Sequence, residues 1–123
     1  MSDESSPPDD ALVLRGGTMR PEALLASALD AETILGVPAI SVFAGDSSRV
    51  AITDLVDLGL VPHDVIRVST VGRIRSAGFV IRRTGRYPHC SVELGQSPTL
   101  EEVTRLAGLF NGPIPNPRQR IRR

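Results

Sequence analysis

Apolar and polar positions alternate along the chain in short blocks, and the blocks predict an α+β order of elements. The run ALVLR at 11–15 predicts a strand that Gly16-Gly17 ends. Leu24, Leu25, Ala28, Leu29 and Ala31 then recur at helical spacing. They predict a helix over about 20–35, with Thr18 as a cap, Pro21 in the first turn and Gly36 as the stop. PAISVFA at 38–44 reads as a buried strand. Ala51, Ile52, Leu55 and Leu58 predict a second helix over about 49–58, capped by Ser47 or Ser48. GLVPHD at 59–64 is a turn, and 65–68 fits strand and loop equally. Ser69 or Thr70 caps a short third helix built on Val71, Ile74 and Ala77, with Gly78 at its end. FVIRR at 79–83 and HCSVEL at 89–94 predict a strand pair. A last helix starts at Thr99, whose T-L-E-E run predicts a capping box with Glu102, and Asn111-Gly112-Pro113 stops it.

This pattern gives one small α+β domain over 11–112 with a C-terminal helix. Before it lies a polar, acidic tail at 1–10 expected to be disordered, and after it a proline- and arginine-bearing tail at 113–123. At 123 residues the chain can bury one modest core, built from aliphatic side chains because aromatics make up 3%. The single cysteine, Cys90, forms no internal disulfide, and no apolar run nears the roughly 20 residues of a membrane helix. The start lacks the features of a secretory signal, so the cytoplasm is the expected compartment.

A net charge of zero conceals a division. Residues 1–66 hold 3 arginines and 11 acids, whereas 67–123 hold 11 arginines and 3 acids. The acid-free stretch 67–86 carries Arg67, Arg73, Arg75, Arg82, Arg83 and Arg86. Clustered guanidinium groups suit a polyanion, because each can grip phosphate or guanine through two hydrogen bonds. Nucleic acid, DNA or RNA, is the partner this cluster predicts. Pairing of the two halves, within the fold or between chains as an acidic partner or a homodimer, is the competing use of the same charges.

The stretch 69–94 is an arginine-bearing helix that ends in Ala-Gly and enters a hairpin with a basic tip. In that respect, and in the order of the preceding elements, it resembles the recognition helix and wing of winged-helix DNA-binding domains. The resemblance implies that Arg73 and Arg75 approach the major groove while Arg82, Arg83 and Arg86 meet the backbone. Gly78-Phe79, Gly85 and His89 resemble the corresponding steps of HicA-type toxins, small RNA-cleaving members of toxin–antitoxin pairs. That likeness implies His89 as an acid or base at a ribose 2′-hydroxyl. Thirdly, Arg15, Ser41 and Glu93 fall, in that order, on three predicted strands. They resemble the Arg, Ser and Glu of one class of ADP-ribosyltransferases, which bind the phosphate of NAD, shape the site and orient the ribose. His63, His89 and Cys90 make no metal-ligand pattern, and Gly16-Gly17 lacks nucleotide-loop spacing, so no cofactor is expected. Cys90 and His89 point to opposite faces of one strand, which excludes a thiol–imidazole pair.

Overall fold

The computed structural model describes residues 6–118. Its order is β1 (Leu12–Gly16), α1 (Pro21–Leu35), β2 (Ala39–Ala44), α2 (Ile52–Gly59), β3 (Val65–Thr70), α3 (Val71–Ser76), β4 (Val80–Arg83), β5 (His89–Glu93), α4 (Leu100–Ala107) and β6 (Asn111–Pro115). The class is α+β, as the pattern predicts. Six strands form one antiparallel sheet in the order β4-β5-β2-β1-β3-β6. Among the described residues no helix is long and apolar enough to cross a membrane.

Alternation along the strands divides the apolar residues between the two sheet faces. Val13, Ile40, Val42, Ala44, Ile81, Cys90 and Val92 meet Leu24 and Ala28 of α1, Val71 and Ile74 of α3, and Val103 and Leu106 of α4. The opposite face is covered over a smaller area, where Leu14 and Ile66 meet Leu55 and Val56 of α2 and Val61. Along β5 that second face carries His89, Ser91 and Glu93, so its apolar cover stops where the strand residues become polar.

Local signals set most element ends. Gly36 takes φ 83° and donates its N–H to Glu32 O, closing α1 as expected. The Thr70 and Thr99 hydroxyls accept from the N–H groups of Arg73 and Glu102 at 3.2 and 3.1 Å. The expected capping box is half realised, because the Glu102 carboxylate accepts from the Gly95 N–H instead. α2 starts three residues later than its serines suggest: Ser47 Oγ holds the Arg49 N–H, and Asp54 takes the Ala51 N–H at 3.0 Å.

Two regions depart from the sequence pattern. The ambiguous run after the turn is a full strand, β3, lying between β1 and β6. Asn111–Pro115, expected only as a helix stop and the start of a tail, pairs with β3 at the sheet edge. Its prolines read as breakers, yet an edge strand tolerates residues without an N–H. Of the expected acidic tail, residues 6–10 are held against α3. Asp9 O accepts from the Gly72 N–H at 2.7 Å, and Arg75 binds the Asp9 carboxylate and the Ser6 hydroxyl. Residues 1–5 and 119–123 of the two tails lie outside the described residues.

Candidate active site

The site begins where β1 and β2 part. Their pairing covers Val13↔Ala44 and Leu14↔Phe43, and beyond it the strands diverge. Arg15 reaches across the gap, with Nη1 donating to Ser41 O at 2.7 Å and Nε to Thr18 O at 3.4 Å. Burial lowers its affinity for a proton below that of an ordinary guanidinium. It forms no ion pair among the described residues, so this partly buried cation is held by carbonyl dipoles alone.

Arg15 lines a cleft of about 360 Å³. The Gly16-Gly17-Thr18 turn and Ser41 form one part of its wall, with Phe43 at the floor and Gly59 and Val61-Pro62-His63 opposite. That volume falls within the range of about 300–1,000 Å³ typical of small-molecule sites. The opposite wall is brought close by small residues. A Cβ on Gly59 would lie 2.9 Å from the Phe43 ring, and one on Gly16 would lie 2.4 Å from His63 Nδ1. Asn116 locks this wall from behind. Buried at 4% exposure, it donates from Nδ2 to Val61 O at 3.1 Å and to His63 O at 2.8 Å.

The polar half of the sheet face continues from Ser41. Ser41 pairs with Ser91 on β5, Phe43 with His89, and Ala39 with Glu93. Residues paired across antiparallel strands share a face, so Ser41, Ser91, Glu93 and His89 stand on one side of the sheet. Glu93 is oriented by Arg82 of β4, whose Nε donates to Oε2 at 2.7 Å. His89 lies 2.7 Å from Thr84 O through Nδ1, and a carbonyl can only accept, so Nδ1 carries the proton. The Thr84 hydroxyl also meets His89 Nδ1 at 2.9 Å and Ser91 Oγ at 2.7 Å, and the His89 ring stands edge-on to Phe43 at 5.8 Å. Ser41 and Glu93 thus share one sheet face on neighbouring strands, while Arg15 alternates with Val13 onto the other face and meets the cleft through its guanidinium, in the gap between β1 and β2.

The arginines of 67–86 are dispersed by comparison. Arg73 and Arg86 are exposed, the first on the six-residue α3 and the second in the β4–β5 turn. Arg75 is engaged with Asp9 and Ser6, and Arg82 with Glu93. Arg83 is built into the fold: its guanidinium donates to Ala44 O and Gly45 O, both at 2.7 Å, and lies 4.8 Å from the Tyr87 ring centre. It also donates to Cys90 Sγ at 3.4 Å, and burial pushes that thiol above its ordinary pKa against the pull of Arg83. Arg67 stands beside Arg15 on β3, its Nε buried and without a partner among the described residues.

His63 and Asn116 carry no motif. The first sits in a segment that reads as a plain turn and the second in one that reads as a tail, and the pairing of β6 with β3 brings Asn116 behind the wall that His63 forms. No family model, curated protein or solved structure matches the chain.

Proposed function

We propose that the chain transfers ADP-ribose from NAD, with Arg15, Ser41 and Glu93 as its central residues. The observation that carries this reading is the Arg15 cation, partly buried at a small-molecule-sized cleft and without a carboxylate partner among the described residues. Such a group is a receptor for phosphate. The diphosphate of NAD takes that place, and the nicotinamide riboside extends over Ser41 towards β5.

Glu93 supplies the chemistry. Arg82 holds one carboxylate oxygen and leaves the other to accept from a ribose 2′-hydroxyl. The C1′–nicotinamide bond breaks with its electron pair leaving on nicotinamide, and the nearby carboxylate stabilises the positive charge that develops on the sugar. A nucleophile on the acceptor attacks C1′ and releases its proton to solvent. The products are nicotinamide and the ADP-ribosylated acceptor.

Calorimetry with NAD, together with nicotinamide release followed by chromatography, tests the reading. Arg15→Ala should weaken NAD binding about 10- to 100-fold, the loss expected for a charge-assisted hydrogen bond. Arg15→Lys should recover little of it, because a single ammonium cannot span Ser41 O and Thr18 O while also holding a phosphate. Wild-type protein that neither binds NAD at millimolar concentration nor releases nicotinamide would end the reading.

A second reading, nucleic-acid binding, is favoured by the exposed Arg73, Arg82 and Arg86 on the basic half of the chain. It predicts affinity for DNA or RNA that falls by orders of magnitude between about 50 and 200 mM salt. Fluorescence anisotropy on duplex DNA, single strands and folded RNA checks it, and absence of binding at low salt removes it.

A further inference from the structure

The segment 59–64 does more than close the cleft. Leu60, 82% exposed, closes α2 in the left-handed conformation at φ 52°, its N–H donating to Asp57 O and Val56 O. The chain then turns through Val61 and Pro62, and the imidazole of His63 comes to lie against Gly16 and Gly17. A Cβ on Gly16 would lie 2.4 Å from His63 Nδ1 and 2.7 Å from Val61 Cγ1, and a Cβ on Gly17 would lie 3.1 Å from His63 Nε2. Gly17 has φ 89°, which accounts for a glycine there by conformation alone. Gly16 is not among the positive-φ glycines, so its missing side chain is explained by the room it leaves for His63 and Val61. Asn116 meanwhile fixes the His63 backbone through its carbonyl.

Two separate features thus converge on one exposed imidazole: a glycine cleared for contact and a buried asparagine tether. The His63 side chain packs against Gly16 and Gly17 and makes no hydrogen bond among the described residues. It shares the cleft with Arg15, a second donor group that lacks a charged partner. Two donors meeting at one cleft, with no carboxylate lining it, match an anion with several acceptor oxygens.

We infer that His63 is a substrate-binding residue of this cleft, donating with Arg15 to the diphosphate of the bound dinucleotide. The inference rests on the NAD reading for its ligand and on the cleft geometry for its site. It places the diphosphate at the mouth of the cleft, beside the His63 ring that packs on Gly16 and Gly17, and directs the nicotinamide riboside away from His63, towards Ser41 and Glu93.

Calorimetry with three probes separates the possibilities: NAD, ADP-ribose, which keeps the diphosphate, and nicotinamide, which has none. His63→Ala should raise the Kd for NAD and ADP-ribose about 10- to 100-fold and leave nicotinamide binding unchanged. His63→Gln, which restores an N–H donor, should recover most of that loss. Gly16→Ala should reproduce the loss with His63 still present, because the added methyl displaces the ring. Thermal melting of each variant confirms folding. A Kd for NAD and ADP-ribose within twofold of wild type in His63→Ala would overturn the inference, as would an equal loss for nicotinamide. Binding of ADP-ribose that depends on His63, in a protein that releases no nicotinamide from NAD, would sustain the anion site and sink the transferase reading. Wild-type protein that binds none of the three probes would overturn both.

Discussion

Glu93→Gln should lower the rate of nicotinamide release about 10²- to 10³-fold while NAD affinity stays within about threefold, the size of effect seen when one preorganised electrostatic group is removed. Glutamine preserves the length and planarity of the side chain, and its carbonyl can still accept from Arg82. The substitution removes only the negative charge, which acts when the sugar becomes cationic and contributes little before. The effect should therefore fall on kcat rather than on binding. Folding should be nearly unaffected, because the Arg82–Glu93 pair is half exposed on the arginine side and such pairs contribute about 1 kcal/mol or less. Single-turnover measurement of nicotinamide release at saturating NAD reads the step directly. A rate within threefold of wild type would remove Glu93 from the chemistry. Arg82→Ala should show a smaller loss, since it frees the carboxylate without discharging it.

The largest expected stability effect lies at a residue without apparent chemistry. Asn116→Ala deletes the donors to Val61 O and His63 O and the acceptor for the Arg118 N–H. The buried Val61 carbonyl and the part-buried His63 carbonyl then lose their partner. At about 1–3 kcal/mol for the buried group and about 1 kcal/mol for the part-buried one, the expected loss is roughly 2–4 kcal/mol. With a urea m-value of about 2 kcal/mol/M, the unfolding midpoint should fall by roughly 1–2 M. The neighbouring exposed Pro117 provides the control, and Pro117→Ala should stay within about 0.5 kcal/mol. Equal midpoints for the two variants would show that the tether carries no weight. Because Asn116 also holds His63, its variant should bind NAD more weakly even at temperatures where it is fully folded.

Much of the fold is legible in the order of residues, for reasons that differ between elements. Helices α1 and α4 announce themselves through apolar residues at helical spacing and through local punctuation, Gly36 in one case and Thr99 in the other. Strand β2 is visible because Ala39, Ile40, Val42 and Ala44 are buried and only the exposed Ser41 interrupts its apolar run. Strand β3 is harder to read, since Arg67 and Ser69 interrupt its pattern and its partners, β1 and β6, lie far away in the chain. Strand β6 is hidden by its prolines, whose local meaning is a break. The site divides in the same way. Arg15, Ser41 and Glu93 can be picked out as an ordered set, but the gap between β1 and β2 that gives Arg15 its setting is a tertiary fact. His63 and Asn116 cannot be found from residue type or spacing, because their roles depend on a pairing between segments about 50 residues apart in sequence, of the kind that local propensity does not encode. The arginine cluster shows the reverse case. It is conspicuous as composition, yet Arg75, Arg82 and Arg83 are bound to groups of the same chain.

The prolines of β6 have a consequence for how this molecule meets copies of itself. A bare sheet edge is a template on which another chain can zip, and repeated zipping builds fibrils. Pro113 and Pro115 occupy two of the five positions of β6 and bring no N–H to either side, so a newcomer aligned along that border would find its ladder of donors broken. At the other border, β4 is only four residues long and offers a newcomer few rungs. Both margins of the sheet therefore discourage polymerisation, one by withholding donors and the other by brevity.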